Sequence, residues 1–140
     1  MAASRRRVYY AHAMKLYGTE REKKEIAIIE KSLSNVEIIN PPTYEGNPRK
    51  SIEGMDFCYR LIDGCSIVVF SRLLGVVTSG VGGEVNYALR KKKKVYEIKN
   101  GVLVPHDSPL KYISRAQTNR IYVQIDKDDA LKRKIMEETM

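Results

Sequence analysis

The chain of 140 residues contains no tryptophan, two cysteines, two histidines and two glutamines. No apolar run approaches the length needed to cross a bilayer, and no secretory apolar core follows Arg5-Arg6-Arg7. A soluble, cytoplasmic protein with no membrane partner is expected. Cys58 and Cys65 stand seven apart on what reads as one helix. A metal site wants more ligands and a cytosolic disulfide is disfavoured, so both read as structural thiols facing the core. His12 and His106 are too far apart in sequence to suggest a metal centre, and no metal or other cofactor is expected. The spacing supports no Ser-His-Asp or Cys-His nucleophile. Repeats, low-complexity stretches and linkers are also missing, and the length is that of one domain spanning residues 1–140. Scarce glutamine, absent tryptophan and 30% charged residues lean toward a thermophilic source.

What is present is basic. A formal charge of +8 would draw in phosphorylated small molecules, nucleic acid or anionic surfaces. The block Arg90-Lys91-Lys92-Lys93-Lys94 falls where a helix ends, and no aromatic residues interleave with it to stack bases. It reads as a solvated helix terminus, and nucleic acid is not an expected partner.

The hydrophobic pattern alternates strands with helices. Val8–Ala11, Val36–Ile39 and Ser66–Phe70 read as strands, and Val95–Ile98 and Val102–Val104 as a hairpin about Asn100-Gly101. Ile121–Ile125 reads as a last strand. Helices are expected from an N-cap at Thr19 with Glu22 completing a capping box, from Ser51 to a stop at Gly64, along Val81, Val85, Ala88 and Leu89, and from Asp126 to about Met136. This order implies an α/β fold: a single-domain flavodoxin-like or Rossmann-like parallel sheet flanked by helices, with strand order 2-1-3-4-5. In such sheets ligands bind at the carboxyl ends of the strands. That edge would gather Tyr9, His12 and Glu84.

Ser66–Lys94 is the central unit of strand, loop and helix. Gly80, Gly82 and Gly83 at the expected helix start would let the backbone approach a ligand, and the exposed N–H groups there attract phosphate. Glu84 then falls in the first turn, where it either acts on a ligand or only complements the helix dipole. His12 is a candidate lining residue as well as a structural one. Asp56 and Asp63 are candidate proton donors, with a surface role for each as the alternative.

Two motifs carry a resemblance. Tyr9-Tyr-Ala-His-Ala-Met-Lys15 after the first strand and Thr78-Ser-Gly-Val-Gly-Gly-Glu84-Val-Asn-Tyr-Ala after the third resemble the nucleoside 2-deoxyribosyltransferase family, in particular its 2′-deoxynucleoside 5′-monophosphate N-glycosidase branch. The resemblance covers roughly residues 8–98. It implies that Glu84 attacks the anomeric carbon of a nucleoside or nucleotide, that Tyr9 orients the glutamate and sugar, and that Lys15, Thr78 and Ser79 lie where phosphate is held, beside Gly80 and Gly82. It also implies a homodimer whose sites are completed by a neighbouring subunit. Two positions depart from the family. His12 stands where the family has glycine, and Cys58 stands where it has an aspartate that helps protonate the leaving base, with Asp56 and Asp63 as the nearby carboxylates. A non-catalytic nucleotide sensor of the same fold is the second expectation.

Overall fold

Val8-Tyr9-Tyr10-Ala11 and Ile67-Val68-Val69-Phe70 have no polar alternation, the pattern of strands covered by helices on both faces. A computed structural model describes residues 5–138 and shows this arrangement. Its elements are β1 (Arg6–Ala11), α1 (Glu20–Ser32), β2 (Val36–Ile39), α2 (Pro48–Glu53), α3 (Met55–Asp63), β3 (Ile67–Phe70), α4 (Ser79–Arg90), β4 (Lys94–Lys99), β5 (Val102–Pro105), α5 (Arg115–Lys127) and α6 (Asp129–Glu137). The sheet order is β2-β1-β3-β4-β5, parallel except for β5. This is the doubly wound, flavodoxin-like order expected, with its switch point between β1 and β3. Among the described residues no helix is long and apolar enough to cross a membrane.

The pleat sorts neighbouring residues to opposite faces. Tyr9, Ala11, Val68 and Phe70 pack with Ile62 of α3 and Val81, Val85 and Ala88 of α4. Val8, Tyr10, Ile67 and Val69 pack instead with Ile29 of α1 and Ile98 of β4. A third cluster joins Ala13, Leu16 and Leu73 to Ile125 of α5 and Ile135 of α6, seating the last two helices against loops.

Several local expectations change. The segment Ile121–Ile125 is helical, not a strand. Ser114 and Gln117 close a capping box that starts α5 upstream, and Ile125 is then buried while Val123 is 52% exposed. The cap overrides the β-branched pattern. Asp128, not Asp126, caps α6. The helix expected from Ser51 divides at Gly54, whose φ of 57° and ψ of −126° break the ladder, and its first part begins at Pro48 behind an Asn47 cap. Cys65 lies beyond the C-cap Gly64 and so is off the helix; both cysteines are free and buried. Thr19 accepts from Glu22 N–H as expected, but the Glu22 carboxylate reaches Gly18 N–H and His12.

Candidate functional site

Helix α4 starts at Ser79, so the three glycines lie inside it and none has a positive φ. Their contribution is space. A Cβ on Gly82 would fall 2.2 Å from Tyr112 Cγ and 2.5 Å from its Cβ, and one on Gly83 would meet Tyr59 Oη at 3.3 Å. Gly80 faces open space, with nothing within 4 Å. The segment that brings Tyr112 is tied down by Leu110 N–H to Asn86 Oδ1 at 2.8 Å and Ile113 N–H to Val77 O at 3.0 Å. Gly82→Ala should therefore destabilise the fold by about 1–3 kcal/mol, despite the helix-propensity gain of about 1 kcal/mol, because the new methyl meets Tyr112 near its backbone. Urea denaturation checks this, and Tyr112→Gly in the same chain should recover most of the loss.

At the α4 N-terminus, Ser79 N–H donates to Thr118 Oγ1 of α5 at 3.1 Å and Gly82 N–H to Thr78 O at 2.9 Å. The N–H groups of Gly80 and Val81 have no acceptor among the described residues. Thr78 is buried, and its side chain lies beside Tyr122 of α5.

Glu84 lies in the second turn of α4, past the reach of the helix dipole, so dipole complementation does not account for it. It is 7% exposed, and the Tyr9 hydroxyl donates to its Oε2 across the packed face. Burial raises the Glu84 carboxyl to about 7, against downward pulls from Tyr9, from Lys50 of α2 and from the Cys58 thiol. Burial also raises Tyr9 and Cys58, each pushed further by the charge of Glu84, and it raises Tyr17 in the same way.

The opposite face repeats this pairing with a different ending. Tyr10 donates to the buried Glu25 of α1, which also accepts from Ser71 at 2.8 Å and from Arg21 Nε at 3.1 Å. Glu25 thus has a guanidinium in contact. Among the described residues, the polar groups that act on Glu84 are the Tyr9 hydroxyl, the Cys58 thiol and Lys50, which is itself paired with Glu45.

The other expected site residues are dispersed. His12 is turned away from Glu84: its Nε2 lies 2.7 Å from Glu22 Oε2, its Nδ1 lies 3.1 Å from Tyr10 O, and its ring stacks on Tyr10 at 3.7 Å. Desolvation lowers its pKa. It touches the site only through Tyr17, whose ring is 5.0 Å away. Lys15 pairs with Asp126 of α5 at 2.7 Å. Asp56 is exposed on the first turn of α3. Asp63 ends α3 at the far edge of the sheet, where it accepts from Tyr87 Oη at 2.7 Å. Residues that the sequence reading missed include Lys50, which lies in a stretch read partly as loop, together with Tyr17, Tyr112, Thr118 and Tyr122. No group of His, Cys, Asp and Glu among the described residues could hold a metal ion.

No protein-family model matches the chain. No curated protein shows significant similarity to it.

Proposed function

We propose that the chain cleaves or transfers the N-glycosidic bond of a deoxynucleoside, a nucleoside or a 5′-monophosphate of either, with Glu84 as the nucleophile. The observation that carries this reading is a buried carboxylate held by Tyr9 with no ion pair among the described residues, at the carboxyl edge of a doubly wound sheet. A carboxylate so placed meets the positive charge that develops at C1′ as the base departs, and forms a sugar ester with it. Tyr9 occupies Oε2 and leaves Oε1 for the attack. Water or a second base then takes the sugar from Glu84. The resemblance of the Tyr9–Lys15 and Thr78–Ala88 stretches to nucleoside 2-deoxyribosyltransferases supports the same assignment. The test is release of free base from a panel of nucleosides and nucleotides, read by chromatography.

The open face of α4 at Gly80, with the N–H groups of Gly80 and Val81, supports a phosphate subsite. Thr78 and Ser79 flank it, and Lys15 would join by exchanging Asp126 for the ligand. A 5′-monophosphate is expected to bind at least tenfold tighter than its nucleoside, about 1.4 kcal/mol, since hydrogen bonds to a charged acceptor are the stronger kind. Calorimetry with matched pairs checks this, and equal affinities would remove the subsite.

A cytoplasmic location suits the two free thiols. A homodimer is proposed from the resemblance; light scattering should give about twice 16.0 kDa. The second reading, a nucleotide sensor without turnover, is favoured by the exposure of Asp56 and by the bond that holds Asp63 to Tyr87. Ligand binding with no base release from any substrate would establish it over the first.

A further inference from the structure

A glycosidase that works through a covalent sugar ester ordinarily pairs its nucleophile with a second carboxyl group about 5–5.5 Å away, which protonates the leaving group. Among the described residues of the one chain, no carboxylate acts on Glu84 from that second place. The groups acting on Glu84 are Tyr9, Cys58 and Lys50, and no carboxylate is among them. Asp56 points to solvent, Asp63 is bonded to Tyr87 at the opposite edge, and Glu45 is paired with Lys50. The proton-bearing groups that interact with Glu84 are the Tyr9 hydroxyl, already donated to it, the Cys58 thiol, the Tyr17 and Tyr59 phenols, and the Lys50 ammonium, which is paired with Glu45. Burial makes the thiol and the phenols weaker acids than usual.

We propose, on the assignment of Glu84 as nucleophile, that the site turns over substrates whose base leaves as a stabilised anion, such as a uracil carrying an electron-withdrawing group at C5. A carboxylate oxygen of Glu84 bonds to C1′ as the C1′–N bond breaks, and the bonding pair stays on the ring nitrogen. The base departs as the anion and takes a proton from water. In the second half a water oxygen bonds to C1′, the ester bond returns its pair to Glu84, and the proton that water loses balances the one gained by the base. With no carboxylic acid to assist, the rate follows the acidity of the departing N–H.

The test uses the wild-type chain and four 2′-deoxyuridine 5′-monophosphates carrying hydrogen, methyl, fluorine or bromine at C5. Methyl and bromine are similar in size and opposite in electronic effect. The bromo compound should exceed the methyl compound at least tenfold in kcat/KM, with the fluoro compound also above the parent. Base release at equal rates from the bromo and methyl compounds would overturn the proposal and leave the nucleophile in place. Release from none of the four, nor from any other nucleotide, would overturn both. Cys58→Asp sets a carboxyl beside Glu84 and should narrow the bromo-to-methyl ratio, whereas Cys58→Ala should not. A steep ratio left unchanged by Cys58→Asp would assign it to the bond alone and overturn the part played by the missing acid.

Discussion

Glu84→Gln is expected to lower base release by roughly three orders of magnitude or more while making the protein more stable above neutral pH. The two effects share one cause. Glutamine keeps the volume of the side chain and can still accept from Tyr9, but it cannot form the ester, so the chemical step is lost rather than weakened. The folded chain holds the Glu84 proton up to about 7, above an ordinary value of 4.5. Below pH 4.5 the group is neutral folded or unfolded and affects stability in neither direction. Between 4.5 and 7 the folded state binds more protons than the unfolded state, so stability falls as pH rises, and above 7 the full penalty of about 3 kcal/mol is present. Glu84→Gln removes that penalty, so its melting temperature should exceed wild type at pH 8 and match it near pH 4.5. In the wild type kcat/KM should climb with pH through about 7 and then level off, because the attacking form is the ionised one. Turnover near wild type in Glu84→Gln would end the nucleophile assignment. Equal melting temperatures at pH 8 would mean that the carboxylate is not desolvated in the fold.

Arg21→Ala is expected to be the most damaging change for stability, at about 3–5 kcal/mol in urea denaturation, a large part of the 5–15 kcal/mol that holds a domain together. Arg21 is 1% exposed and joins three parts of the chain. Its guanidinium donates to Glu25 within α1, to Arg72 O in the loop after β3, to Ile135 O of α6 at 2.9 Å and to Glu138 Oε1 at 3.1 Å. Glu138 in turn accepts from Leu74 N–H at 2.8 Å and Gly75 N–H at 3.1 Å, so α6 loses its anchor with the arginine. Glu25 would be left charged at 0% exposure with only hydroxyl partners. Replacing both members, Arg21→Met with Glu25→Met, should recover a substantial part of the loss, since an unpaired buried charge is worse than none. A loss in Arg21→Ala below about 1 kcal/mol would show that the network is dispensable.

The sheet was legible because β1 and β3 are apolar on both faces and the intervals between strands admit one simple crossover pattern. Asn100 and Gly101, at φ of 49° and 75°, give the turn expected of that dipeptide. Ile121–Ile125 was misread because period-two alternation in five residues also satisfies an i, i+4 helix pair, and the deciding signal, Ser114 with Gln117, lay seven residues upstream. The contact between Tyr9 and Glu84 was readable from their places on β1 and after β3. His12 was not, because its orientation depends on Glu22, whose carboxylate a capping box alone would have assigned to the backbone. Lys50 and Tyr17 approach Glu84 from segments that local pattern leaves undetermined, and only tertiary packing brings them there.

Tyr9 and Tyr10 are consecutive residues of one strand, each ending on a buried glutamate from the helix on its own side. In α1 the arginine sits four residues before the glutamate, at Arg21 for Glu25. Counting back four from Glu84 in α4 gives Gly80, whose missing side chain would project into open space. The protein therefore carries its own control. One copy of the pair is neutralised and serves as a rivet, while in the other the neutralising position is left blank and the carboxylate stays uncommitted. On the proposal that Glu84 is the nucleophile, a cation installed at position 80 is expected to turn the second copy into the first, gaining rigidity and lowering base release in the same step.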